Sequence, residues 1–551
     1  MRHLVWVALA VILTACTAVP SPLPTGTIIP APTATLPATL APSPTPTATP
    51  APPAFWLDPL LPEAFRTQFV LPEGWTSATS PAEADAALTF TPDNPVATWV
   101  FALVAAFPTL VDDVSGEELR AFWQLGAEFP AAGLLLDATT QAALISSWGA
   151  PQCPVRVLPA ADLLDAAWAD LTAWAIIPFE DIQPRWKVLS LDGHSPLRKD
   201  FSPRDYALSF SISLLTADPA LAAALAGSPG LSLPETNRDP ALLTTVILTG
   251  VTALVRATAS EMEYYGVTHP AEFIGPTLAA ADITHVSNEI PFDKKCPHPK
   301  DNTSPDLVFC SRDKYLELLQ VVGTDVVELT GDHFQDWGAP AMLHTLDLYQ
   351  ALGWPYYGGG ANLEEARQPV LFEHNGNKIA FLGCNAKPPG YAQASEQLPG
   401  AYHCDMAYMA AEVQRLRAAG YMPIVTFQHE EFYEWIARPS LVEDFHRMAE
   451  AGAVIVSGSQ AHQPHGMEFY GGAMLRYGLG NLFFDQYTWC DACDEAFIDR
   501  HVFYNGQYLG VELLSIQFVD YSRPRWMTPE ERQQLLEKTF QASGWLEADG
   551  Q

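Results

Sequence analysis

Basic residues are scarce in this chain: 29 Lys plus Arg stand against 63 Asp plus Glu, a formal net charge of −34. A surface of that sign repels phosphate backbones and anionic lipid, which excludes a nucleic-acid binder and makes any anionic substrate depend on a local cation. Long apolar runs are also lacking; after Leu13 no stretch approaches the roughly 20 apolar residues that a spanning helix needs. Cysteine is sparse, and the lone Cys-x-x-Cys, Cys490 with Cys493, has no second such pair to complete a four-thiolate zinc site. From Thr17 to Pro53 charge of either sign is missing, and the segment is Pro, Thr, Ala and Ser, as in Pro42-Ser43-Pro44-Thr45-Pro46-Thr47. Such a composition cannot bury a core, so residues 17–54 are expected to form an extended polyproline-like linker.

What stands before the linker is an address. Arg2 and His3 precede an apolar run from Leu4 to Leu13, which is followed by Leu13-Thr14-Ala15-Cys16. This pattern is a secretory signal over residues 1–16 whose cleavage site is a lipobox, with Cys16 as the lipidation site. The alternative is an ordinary cleaved signal with an incidental Cys. With the lipid, the chain is expected on the extracytoplasmic face of the cell membrane, anchored but not spanning. In an exported chain closely spaced Cys pairs read as disulfides, and spacing alone suggests Cys296 with Cys310, Cys384 with Cys404 and Cys490 with Cys493, leaving Cys153 over.

A chain of 551 residues is too long for one core. Residues 55–237 read as a first α/β domain. Apolar runs such as Trp99 to Ala106, Ala132 to Leu136 and Trp174 to Pro178 alternate there with helix-like stretches, Gly116 to Gln124 and Ala160 to Ala173. Parts of it resemble the lobes of periplasmic solute-binding proteins, and a Gly/Ser/Pro/Asn-rich break from Gly227 to Pro240 closes it. Residues 238–551 carry the more telling pattern. Apolar, β-branched runs repeatedly end in Gly or in a residue able to bind a metal or phosphate: Thr245 to Gly250, Ile283 to Glu289, Val326 to His333, Ile379 to Asn385, Ile424 to His429 and Val454 to His462. Helix-like segments, Leu343 to Leu352, Ala407 to Ala419 and Ser440 to Ala451, separate the later ones. In layered α/β folds ligands bind beyond the carboxyl ends of strands, so Glu289, Asp332, His333, His429 and His462 are candidates to share one rim.

At these residues the sequence resembles the CapA family, linked to poly-γ-glutamate capsule synthesis and built on a calcineurin-like metallophosphatase fold. Gly250-Val251 with Arg256 stands at the family's opening Gly-Asp and Arg. Asn288-Glu289 resembles its Asn-Leu-Glu, and Asp332-His333-Phe334-Gln335-Asp336-Trp337-Gly338 its Asn-His-x-x-Asp-x-Gly. Gly358-Gly359-Gly360-Ala361-Asn362, Lys378 to Gly383, His429, Gly458-Ser459-Gln460-Ala461-His462 with Glu468, and Gly478 to Gln486 follow in the family's order. The resemblance covers roughly residues 241–515 and implies a layered α/β sandwich of the metallophosphoesterase type.

It also implies a site: Glu289, Asp332, His429 and His462 as ligands to one divalent metal ion, His333 as general acid, and Arg256 and Asn481 as substrate-binding residues. Two departures bear on it. Val251 replaces the first ligand Asp and Gln460 the first His of the last pair, so one of two possible metal places has lost its ligands. Blander roles stand beside each assignment. Taken singly, His429 and His462 read as hydrogen-bonded rim histidines. Asp332 could cap the following helix and Asp336 its turn, and Asn481 could order a Gly-rich loop. Arg256 could pair with Glu261 or Glu263, and Trp337, Trp354 and Trp435 could be packing.

Two functions follow. One is a surface lipoprotein acting in biosynthesis, export or anchoring of a capsule-type polymer, with the polymer or its precursor and a membrane polymer-synthesis complex as partners, and a metal-assisted phosphoesterase or acyl-transfer site. The other is a non-catalytic solute- or polymer-binding lipoprotein on a degenerate metallophosphatase fold.

Overall fold

The computed structural model describes residues 51–547 except 94, 219, 222–224, 226–232, 301–306, 391 and 487–489. Cys16, the signal and nearly all of the linker lie outside the described residues. Residues 52–551 pack as one unit, in which strands and helices mix throughout.

The N-terminal part is built on the strand Pro95–Ala106, almost wholly buried from Trp99 onward. A strand covered on both faces reads as a continuous apolar run, as this one does. It pairs antiparallel with Ser209–Thr216, Ala173–Pro178 and Trp186–Val188. Gly133–Leu136 and Val155–Val157 extend one side of the sheet in parallel. The helix Gly116–Leu125 starts at a capping box of Ser115 and Glu118 and ends at left-handed Gly126. The expected helix over 160–173 is shorter: a 3₁₀ turn at Ala160–Asp162 leads into Leu163–Ala169. It stops because Asp170 Oδ1 accepts the amide and hydroxyl of Thr172, a local bond that competes with helix continuation.

The C-terminal part contains two sheets. The first includes β1 (Leu243–Leu248), β2 (Ile283–Asn288) and β3 (Val326–Glu328), paired in parallel, and is extended antiparallel by Glu495–Tyr504 and Gln507–Phe518. The second includes β4 (Asn377–Asn385), β5 (Met422–Gln428) and β6 (Ile455–Ser457), also parallel. Each of the expected runs is therefore a strand, divided between two sheets. Strand alternation explains the layering. Val246, Leu248, Ile283 and Val326 of the first sheet share a buried cluster with Ile379, Phe381, Ile424 and Ile455 of the second. On the opposite face of the first sheet, Ile247, Val286 and Val327 pack with Met262 of α1 (Arg256–Tyr265) and with Leu346 and Tyr349 of α2 (Gly338–Leu352). Ala380, Val425, Phe427 and Val456 pack with Met409 and Val413 of α3 (Met406–Ala418) and with Leu441 and Phe445 of α4 (Pro439–Ala451). The result is a helix–sheet–sheet–helix sandwich.

The N-terminal part docks on this sandwich through charge and aromatic contacts. Asp112 takes a two-point bond from Arg532 at 2.6 and 2.9 Å, and Phe107 lies edge-on to Phe469, Phe540 and Trp545. Disulfides join Cys296 to Cys310, Cys384 to Cys404 and Cys490 to Cys493, and Cys153 is free and buried. Among the described residues no helix is long and apolar enough to cross a membrane.

Candidate functional site

The carboxyl ends of β2, β3, β4 and β5 bring four segments together. Gly331 permits the closest approach, since a Cβ there would lie 2.6 to 2.7 Å from the backbone of Glu289. Glycine at that position thus sets Glu289 and Asp332 side by side. Glu289, Asp332 and His333 each offer one ligand atom, and these atoms lie within 4.8 Å of one another.

Glu289 is 1% exposed, and its Oε2 has no hydrogen-bond partner. Burial pushes its carboxyl up to about 8; His333 opposes the shift, and Asp332 and Glu431 reinforce it. A buried carboxylate oxygen without a donor is costly unless the group is neutral or meets a cation. Asp332 is fixed from three sides. Its backbone N–H donates to Gln428 Oε1 at 2.8 Å, the Gln428 amide donates to Oδ1 at 2.7 Å, and the Lys387 ammonium reaches Oδ2 at 2.6 Å. Burial would raise this carboxyl, but Lys387 and His333 outweigh it and hold Asp332 below the usual range.

His333 is hydrogen-bonded through Nδ1 to Asp336 Oδ2 at 2.7 Å, and the same oxygen accepts the Phe309 amide at 2.8 Å. Asp336 thereby orients the ring and leaves Nε2 for the cluster. Burial lowers the His333 pKa, yet Asp336, Glu289 and Asp332 together push it up to about 9. That shift favours the protonated ring, which can donate a proton.

Lys387 and Glu431 belong to the same site, though nothing in the strand-end pattern pointed to them. Asn385, the last residue of β4, accepts the Lys387 amide at 2.9 Å and donates to Thr330 O at 2.8 Å, which fixes the turn that carries the lysine. The ammonium bridges Asp332 and Glu431 Oε1, the latter at 2.8 Å. Burial would lower Lys387, but the two carboxylates outweigh it and keep the ammonium protonated well above its usual range. On the far side, Glu431 Oε2 is 3.8 Å from His462 Nε2. The other His462 nitrogen is 3.0 Å from Asn481 Oδ1, and Asn481 donates to the carbonyls of His462 and Cys493. Burial lowers the His462 pKa.

His429 is bonded to a different acid. Its Nε2 is 3.1 Å from Asp444 Oδ2 on α4, and the residue is absent from the group of candidate ligands found among the described residues. Arg256 pairs with neither Glu261 nor Glu263; Glu263 is taken by Arg312, Lys314 and Tyr315. Arg256 binds Asp485 at 2.5 Å and Gln486 at 2.9 Å, with its guanidinium over the rings of Phe309 and Phe484. At the two departure positions, Val251 is fully buried, and Gln460 donates to Ser287 Oγ at 2.5 Å while its Oε1 has no partner. Neither side chain offers a carboxylate or an imidazole to a metal. One further acid of the first sheet is fully buried. Glu328 lies between the two sheets, bonded to Thr330, Ser459 and His285.

Residues 245–486 match the family described as bacterial capsule synthesis protein PGA_cap. That segment is a divergent one of the CapA type. The capsule biosynthesis protein CapA of Bacillus anthracis is 24% identical over 292 residues, 52% of this chain and 70% of that protein. The PGA biosynthesis protein CapA of Bacillus subtilis is 23% identical over 239 residues, 43% of this chain and 61% of that one. Among solved structures, a phosphatase from Mycoplasma pneumoniae aligns over 55% of this chain and 99% of its own, with 13% identity and a TM-score of 0.31. The CapA-family segment thus contains Glu289, Asp332, His333, Lys387, Glu431 and His462, while residues 55–237 precede it.

Proposed function

We propose that this chain is a lipid-anchored, extracytoplasmic CapA-family protein that acts in biosynthesis, export or anchoring of a capsule-type polymer resembling poly-γ-glutamate. Its rim takes one divalent metal ion at Glu289 and Asp332. The unpartnered, buried Oε2 of Glu289 beside Asp332 carries this reading, because a divalent cation supplies the one partner that this oxygen lacks. Bound there, the ion would polarise a phosphoryl or carbonyl oxygen. The chain's own residues do the rest. Asp336 holds the His333 ring, and His333 Nε2 delivers a proton to a leaving oxygen. Gln428 fixes the Asp332 carboxylate, and Asn481 sets the His462 ring. The polymer or its precursor and a membrane polymer-synthesis complex are the proposed partners, with the membrane reached through the lipid on Cys16.

The test is hydrolysis of phosphate mono- and diesters by the full-length chain with Mn²⁺, beside Glu289→Gln and His333→Ala. Turnover lost in both variants supports the reading. Equal rates in all three proteins would reject it. A second reading, a binding protein without turnover, is favoured by Val251 and by the Gln460–Ser287 bond, which remove ligands from the second metal place. It expects tight retention of an anionic polymer on the full-length chain with no hydrolysis.

A further inference from the structure

Lys387 sits where a cation would sit. Its Nζ is 2.6 Å from Asp332 Oδ2 and 2.8 Å from Glu431 Oε1, with the Lys387 side chain 11% exposed and that of Asp332 8% exposed. Of the four carboxylate oxygens on Asp332 and Glu289, the two on Asp332 are claimed by Gln428 and Lys387, whereas Glu289 Oε2 is free. A divalent ion held by Glu289 and Asp332 would lie beside that ammonium, and two cations at such range repel strongly where water screens poorly. The lysine has somewhere else to go. Its four-carbon stem is flexible, and it already donates to Glu431, whose side chain is 30% exposed.

We propose that Lys387 is a built-in competitor for the metal: its ammonium occupies the cation place at Asp332, and a divalent ion enters the cluster only as that ammonium withdraws to Glu431. This rests on the reading that Glu289 and Asp332 take a divalent ion. Lys387 is therefore a positioning residue that sets metal affinity. The site keeps its charge balanced without metal and loads only when the free ion is abundant.

The full-length chain, freed of metal by chelation, is titrated with MnCl₂ in a calorimeter, and its melting temperature is followed with and without Mn²⁺. Lys387→Met is expected to bind Mn²⁺ about tenfold tighter or more than the wild type. It is also expected to melt lower than the wild type without Mn²⁺ and to recover with it, because Asp332 and Glu431 then lack their cation. Lys387→Arg keeps the charge and brings no tightening. Adding Glu289→Gln to Lys387→Met abolishes the gain. If Lys387→Met does not fold, Lys387→Gln carries the same expectation with an amide that can still bond both carboxylates. Unchanged affinity in the Lys387 variants, with binding still lost in Glu289→Gln, overturns the competition and leaves the metal reading standing. Weaker binding in Lys387→Met also overturns it, making the lysine an organiser of the ligands. No heat and no melting shift in either the wild type or the neutral variants, all folded by circular dichroism, overturns both.

Discussion

Replacing Glu289 by Gln in the metal-free protein separates the charge of this residue from its shape. In the unfolded chain its carboxyl ionises near 4.5, while in the folded protein burial pushes it up to about 8. Between those values the folded state holds a proton that the unfolded state has released, so stability falls as pH rises through this window. The group is destabilising above about pH 8 and neutral in effect below about pH 4.5, and the shift corresponds to at most about 5 kcal/mol. Glu289→Gln removes this pH-dependent contribution, since an amide cannot ionise. Urea unfolding of the chelated wild type and variant at pH 5 and pH 8.5 reads it directly. The variant is expected to gain stability relative to the wild type between the two pH values, by a few kcal/mol. A difference between the two proteins that is the same at both pH values would refute the claim that Glu289 is a desolvated carboxyl.

Other residues give sharper contrasts. His429→Ala is expected to leave Mn²⁺ affinity within about twofold, because its imidazole is bonded to Asp444; a large loss in calorimetry would return His429 to the ligand set. Arg256→Ala strands Asp485, whose side chain is 0% exposed, and is expected to cost about 3 to 5 kcal/mol in urea unfolding, with part of the loss recovered in Arg256→Ala/Asp485→Ala. Changing both Cys384 and Cys404 to Ser opens a loop of sequence separation 20 and is expected to cost about 2 to 4 kcal/mol. Cys16→Ser is expected to abolish incorporation of a palmitate analogue in cells; retained label would reject the lipid anchor.

The sequence was most informative where local pattern and position coincide. Buried parallel strands are short apolar runs, and the runs ending at Glu289 and Asp332 were legible because the chain turns from hydrocarbon to carboxylate within a few residues. The division of those strands between two sheets was not legible in periodicity, since a strand buried on both faces looks alike in either. His429 has the right place in the chain, but the side chain follows Asp444 on α4, and that partner depends on how helix and strand pack. Lys387 and Glu431 escaped notice for the same reason. Their contact joins loops 44 residues apart, and the contact to Asp332 spans 55; neither residue lies at the end of a run. One signal was available: Lys387 follows Asn385 of β4 by two positions in a chain poor in cations.

The most direct test of the metal centre is anomalous diffraction from a crystal of the full-length chain soaked in Mn²⁺. A single peak within coordination distance of Glu289 Oε2 and the Asp332 carboxylate, absent from Glu289→Gln crystals, is the expected result. A peak at His429 and Asp444, or no peak at Glu289 in either wild-type or Lys387→Met crystals that carry an intact rim, would contradict the account.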